Sequence, residues 1–156
     1  MVDLLADRAL YTWYDDEASP TLEVLRLRYA RQAVGVSPDG LEVWHTWILR
    51  EHDSGRTIGF AQATVSAGDD GVRSAELAWV VGSAWQGQGF ATEAATAIRD
   101  GLLGVGSLTG DDVAHVHAHI APGHTASETV ARRAGLSPTD VTHEGEIRWE
   151  LSQTPH

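Results

Sequence analysis

The sequence predicts one α/β domain, a mixed sheet with flanking helices, and three observations predict it. A segment of helical period leads into three strand-like segments joined by short turns. A glycine-rich loop then opens a second helical segment. Strand, helix and strand periods follow to the C-terminus. A chain of 156 residues suits a single domain with its own core, spanning 1–156.

Residues 3–10 read as a short helix. Ser19-Pro20 is a helix start, with Ser as N-cap and Pro at the first helical position. Leu22, Leu25, Tyr29 and Ala33 then share one face, Arg26, Arg28 and Arg31 lie mostly off it in solvent, and Gly35 is the stop. Val43 to Arg50 is a strand rich in Trp and β-branched residues. Asp53-Ser54-Gly55-Arg56 turns into a strand from Thr57 to Val65, and Gly68-Asp69-Asp70-Gly71 into a third from Arg73 to Val81. Short turns make these an antiparallel meander.

Ala91 to Leu103 is helical, with Ala91, Ala94, Ala95, Ile98 and Leu102 on one face. Val113 to Ile120 alternates as a strand, and its helical connection sets it parallel to the strand before. Thr125 to Ala134 is a last helix stopped by Gly135, and Glu144 to Leu151 a final strand.

Composition removes several function classes. There is no cysteine, which excludes disulfides, Cys zinc sites and thiol nucleophiles. The formal net charge of −11 repels nucleic-acid phosphate and attracts cationic partners. No apolar run approaches the roughly 20 residues of a membrane helix, and the N-terminus carries acids where a signal peptide carries basic residues. The expectation is a soluble cytoplasmic protein with no nucleic-acid or membrane partner.

The loop Gln86-Gly87-Gln88-Gly89-Phe90-Ala91-Thr92 lies between a strand and a helix. Its glycines permit a tight turn and close approach to a ligand, and the following helix offers unpaired N–H groups and a positive dipole end. Together they suit a pyrophosphate. No Lys-Ser/Thr follows the glycines, so it is not a Walker loop. The strands before it read as antiparallel, so it is not a dinucleotide fingerprint either.

Gln86 to Ala91 reproduces a Gln/Arg-x-x-Gly-x-Gly/Ala pattern. With Glu76-Leu77-Ala78-Trp79 before it and Pro122-Gly123-His124-Thr125-Ala126-Ser127 and Gly135-Leu136 after it, the chain resembles the GCN5-related N-acetyltransferase (GNAT) family over about residues 57 to 137. Among its branches it resembles the ribosomal-protein N-terminal alanine acetyltransferases, which carry Glu-Leu-Gly-Tyr-like, Gly-Lys-Gly-Tyr-Ala-Thr-Glu-Ala-like and Pro-x-Asn-x-Ala-Ser motifs in that order.

The resemblance implies transfer of an acetyl group from acetyl-CoA, as cosubstrate and without a metal, to an amine that attacks directly in its neutral form in a ternary complex; the acidic charge of the chain adds that the acceptor is cationic. It implies a sheet splayed between the strand ending near Val81 and the strand starting near Val113, with the cofactor arm in the split. Backbone groups of Trp79, Val80 and Val81 would pair with that arm. Amides of Gln86, Gly87, Gln88, Gly89, Phe90, Ala91 and Thr92 would hold the pyrophosphate. His124 stands where the family often has Asn, and Ser127 would face the sulfur; because Ala131 occupies the place of the Tyr acid of many relatives, acid catalysis would fall to Ser127 or to no protein group. Two residues qualify as the base that takes the amine proton, Glu76 and His119. Family members begin with a strand before the first helix. Here the sequence opens at what reads as that helix, so a missing first strand is expected, with Val43 to Arg50 as a sheet edge and a homodimer through it.

Two rival readings remain open. His115, His117 and His119 alternate on one strand face, where His-x-His pairs bind zinc or iron, with His124, His143, Glu144 and Glu146 as further ligands; the bland alternative is a solvated strand face. The other rival is an acyl-CoA-binding module without turnover. Trp44, Trp47 and Trp79 could shape an acceptor pocket or simply pack the core.

Overall fold

The computed structural model describes residues 21–104 and 107–151. The expected helix over residues 3–10, the Ser19-Pro20 start and any strand ahead of them lie outside these residues.

Helix α1 (Leu22–Val34) is capped by Thr21, whose side chain accepts from the Val24 N–H at 3.3 Å. The helix therefore begins after Pro20, and the cap is Thr21 where Ser19 was expected. Gly35 closes it in the left-handed conformation, as expected. Arg26, Arg28 and Arg31 are exposed.

Strands β1 (Glu42–Arg50), β2 (Thr57–Ala67) and β3 (Arg73–Val81) form the antiparallel meander. Helix α2 (Phe90–Leu103) crosses over to β4 (His115–Ile120), which pairs parallel with β3. Helix α3 (Thr125–Arg133) leads to β5 (Leu136–His143) and β6 (Glu146–Leu151). The sheet order is β1-β2-β3-β4-β6-β5, so β1 is the last strand on its side among the described residues. Its outer edge is not wholly open as expected: Val36 bridges Val43, and the bonds Trp44 N–H to the Gly35 carbonyl and Ser37 N–H to the Glu42 carbonyl cover its start, leaving the stretch beyond Trp44 as the edge. None of the described helices is long and apolar enough to cross a membrane.

One strand escapes the sequence reading. Residues 136–143 form β5, and Glu144 with Gly145 makes the two-residue turn into β6, both at positive φ. Glu144 is thus a turn residue where the start of the last strand was expected. Strand β5 carries Pro138 and a register irregularity between Pro138 and Thr142, which an outer strand tolerates.

Alternation gives the sheet two faces. One carries Ala61, Ala63, Val65, Ala75, Leu77, Val116, Ala118, Ile120 and Trp149, all buried. Ala95, Ile98 and Leu102 of α2 and Ala131 of α3 cover it. Burial of Ile98 or Leu102 stabilises by about 1.5–3 kcal/mol each. The opposite face carries Thr46, Gln62, Thr64, Glu76, His117, His119, Arg148 and Glu150, and Tyr29 of α1 meets Phe60 edge-on near its end, with ring centroids 6.2 Å apart.

Pairing between β3 and β4 covers only Ser74↔His115, Ala75↔Val116 and Glu76↔His117. Beyond Glu76, β3 stays paired with β2 as far as Val81, while β4 pairs with β6 from His117 to Ile120. The two parallel strands therefore splay, as expected, and open a split in the middle of the sheet.

Candidate active site

The split exposes backbone polar groups that must find partners. Gly82 N–H bonds to the Ile58 carbonyl and Ala114 N–H to the Arg73 carbonyl. In an alternating ladder these two bonds direct the backbone of Val80 at β2, and that of Leu77 and Trp79 into the split. Val81 N–H faces the split too, while the Val81 carbonyl accepts from the Gln86 side chain at 2.9 Å. Gln86 thus ties the glycine-rich loop to the end of β3. Gln88 ties it again through a 3.2 Å bond to the Ala84 carbonyl.

Gly87 and Gly89 have φ of 74° and 92°, which L side chains rarely adopt. No atom outside the neighbouring residues lies within 4 Å of where a Cβ would sit on either one. The first backbone bond of α2 runs from Glu93 N–H to the Gly89 carbonyl. The N–H groups of Phe90, Ala91 and Thr92 therefore project from the helix start, beside open space and with the positive end of the dipole behind them. The free N–H groups at this helix start, next to the split, have the geometry that suits an anion.

On the polar face, Glu76 and His119 meet across the split. His119 Nδ1 lies 2.8 Å from Glu76 Oε1. Glu76 is the last residue of β3 paired with β4, and His119 is the first histidine of β4 beyond that paired stretch. His117, opposite Glu76 in register, stands farther off, with Nε2 4.0 Å from Glu76 Oε2. The two residues that qualified separately as base are one hydrogen-bonded pair, with the carboxylate half exposed and the imidazole mostly covered.

His117 is buried, at 6% exposure, so the solvated histidine face expected as the bland alternative does not hold there. Burial, and then the Arg148 charge, lower its pKa from 6.5 to about 4 against the opposing pull of Glu76. His115 remains exposed, and the His143 ring centroid sits 5.6 Å from that of His119. Arg148 and Glu150, joined at 2.6 Å, complete this face. Sequence reasoning missed both, although polar alternation along Glu146-Ile147-Arg148-Trp149-Glu150 was the available signal.

His124 is the N-cap of α3, and its Nδ1 accepts from the Ser127 N–H at 3.3 Å. Ser127 is half-buried in that first turn. Ala131 is wholly buried in the core. Trp47 and Trp79 pack against the core cluster. Trp44 donates to Glu42 Oε2 at 2.9 Å and lines a cavity of about 240 Å³ with Arg28, Arg31, Gln62 and Thr64. A larger cavity, about 560 Å³, lies between α1 and β1. Neither touches Glu76 or His119, which sit in the open groove of the split.

Known proteins match this arrangement. A domain from Methanocaldococcus jannaschii superposes with a TM-score of 0.67 at 18% identity, covering 96% of this chain and 88% of its own. The aminoglycoside acetyltransferase AAC(6')-Ib in complex with coenzyme A gives 0.68 at 19% identity, covering 96% and 84%. Spermidine N-acetyltransferase from Vibrio cholerae, in complex with CoA and spermine, gives 0.64 at 15% identity, covering 96% and 84%. At these identities the likeness is one of fold. No curated protein sequence matches. The sequence model of the acetyltransferase (GNAT) domain matches residues 1–137, most of the chain, and the chain therefore belongs to the GNAT acetyltransferase family.

Proposed function

We propose that this chain transfers the acetyl group of acetyl-CoA to the amine of a cationic acceptor, and that Glu76 and His119 carry the proton transfer. The observation that carries this reading is their 2.8 Å hydrogen bond at the mouth of the split, on the strand pair that leads to the glycine-rich helix start.

The residues divide the work. The N–H groups of Gly87 to Thr92 hold the pyrophosphate, with Gln86 bracing their loop on the Val81 carbonyl at the end of β3 and Gln88 on the Ala84 carbonyl. Backbone groups of Trp79 and the Val81 N–H take the pantetheine arm as an added strand. Val80, its backbone given to β2, lines the site by position only. His124 shapes the start of α3, and Ser127 stands near the sulfur as proton donor to the leaving thiolate.

Glu76 accepts the Nδ1–H of His119, which leaves the Nε2 lone pair to take a proton from the acceptor amine. The amine nitrogen forms a bond to the thioester carbonyl carbon, the C–S bond breaks, and CoA leaves as thiolate that is then protonated. Holding both reactants in the split removes the entropic cost of their encounter.

The acceptor class is read from charge and likeness. A net charge of −11 draws cations, and structural neighbours are an aminoglycoside acetyltransferase and a spermidine N-acetyltransferase. The motif resemblance adds protein N-termini of the ribosomal-protein type. One domain over 1–156 in the cytoplasm, dimeric through β1, completes the reading. CoA release measured across polyamines, aminoglycosides and Ala-initiated peptides tests it: one class should stimulate release, and none doing so would refute it.

A further inference from the structure

We propose that Glu76, His117 and His119 form a binding site for a divalent transition-metal ion of the zinc type, whose occupancy shuts off proton transfer at His119. The second half rests on the acetyl-transfer reading; the first does not.

The three side chains come from two neighbouring strands, and one ligand atom from each lies within 4.8 Å of the other two. Two imidazoles at i and i+2 on β4 point to one face, and the carboxylate enters from β3 at the register position Glu76↔His117. In a tetrahedral site with bonds near 2.0–2.1 Å, ligand atoms sit about 3.3 Å apart. The present separations are 2.8 Å for Glu76–His119 and 4.0 Å for Glu76–His117. A modest swing of the half-exposed Glu76 side chain evens them out.

His117 stands in the same geometry. It is buried, its Nδ1 has no hydrogen-bond partner, and its Nε2 stands too far from Glu76 to hydrogen-bond. Nε2 is the nitrogen turned towards Glu76, and it is the atom that a metal shared with the carboxylate and His119 would take. With no sulfur in the site, the nitrogen and oxygen donors suit zinc and its neighbours over magnesium or calcium.

A metal on His119 Nδ1 leaves the ring proton on Nε2. That nitrogen then has no lone pair for the amine proton, and Glu76 is occupied as ligand. Zinc and proton transfer therefore exclude each other.

The test uses the full chain, untagged and freed of metal with EDTA. Calorimetric titration with zinc chloride should give one site per chain, weakened at least tenfold in His117→Gln and in Glu76→Gln. At equal zinc concentration the Tm of the wild type should rise more than that of either variant. Magnesium should give no such site. Glu76→Gln, at a half-exposed position, keeps the test sound if His117→Gln fails to fold. Absence of a single site, or equal zinc affinity in wild type and variants, would overturn the proposal. Transfer assayed in EDTA reports on the acetyl-transfer reading alone. Added zinc should then abolish it in the wild type, and undiminished turnover at saturating zinc would overturn the exclusion.

Discussion

Glu76 Oε1 lies 2.8 Å from His119 Nδ1, so two residues separated by 43 positions act as one hydrogen-bonded unit across a split sheet. His119→Ala removes the proposed proton acceptor and should cut turnover by roughly 10²–10⁴-fold while acetyl-CoA affinity holds. Glu76→Gln keeps an acceptor for Nδ1–H and loses only the charge. It should cost less than His119→Ala, because the imidazole keeps an orienting partner. The double variant should be no worse than His119→Ala, since paired residues are not additive. Steady-state kinetics across pH decide this, and wild-type turnover in His119→Ala would remove the base from the mechanism.

The phosphate cradle can be tested without disturbing its turn. A substitution at Gly89 would strain a backbone at φ 92° and confuse binding with folding. Ala91 sits in the first turn of α2. Ala91→Asp places a carboxylate where a pyrophosphate would lie, yet acids there favour the helix by about 0.3–1 kcal/mol. We expect an unchanged or raised Tm together with a loss of acetyl-CoA binding of at least tenfold in calorimetry. Full affinity would place the phosphates elsewhere.

His117 should make the metal-free protein acid-sensitive. Its folded pKa is depressed from 6.5 to about 4, chiefly by burial. Between these values the unfolded chain binds the proton more readily, so its contribution to stability is complete above pH 6.5 and is lost as pH falls towards 4. The full loss is on the order of 3 kcal/mol. His117→Gln should flatten the decline of Tm over that window in EDTA, and an unaltered decline would assign the acid sensitivity to other groups.

Gly59 touches the split from behind. A Cβ there would lie 2.1 Å from the Val80 carbonyl oxygen and 3.0 Å from Val81 Cα, both backbone atoms that cannot rotate away. Gly59→Ala should force β2 and β3 apart at the end bordering the split, costing about 1–3 kcal/mol in urea unfolding. Acetyl-CoA affinity should fall with it. A neutral effect on both would show that this strand pair has slack.

Legibility followed local physics. The meander, the parallel β4 and the helices read directly from period and turn residues, and Gly35 stopped α1 as its φ of 77° requires. Strand β5 did not, because Ser137-Pro138-Thr139-Asp140 spells a turn and only the sheet edge makes it a strand. The cap at Thr21 was missed because Ser19-Pro20 offers the stronger local signal. At the site, alternation set His117 and His119 on one face, but distance from Glu76 is tertiary information. Period alone could not tell that His119, in the splayed stretch, reaches the carboxylate while His117, directly opposite, is buried and stays 4.0 Å away.

On the proposed mechanism the split couples acetyl-CoA to an amine through the Glu76–His119 pair. The most direct measurement is thiol release from acetyl-CoA, in EDTA, by wild type and His119→Ala over a panel of polyamines, aminoglycosides and Ala-initiated peptides. We expect release stimulated by one amine class in the wild type and reduced by roughly 10²–10⁴-fold in the variant at equal acetyl-CoA affinity. Tight acetyl-CoA binding with no amine-stimulated release from either protein would contradict the claim and leave a cofactor-binding module.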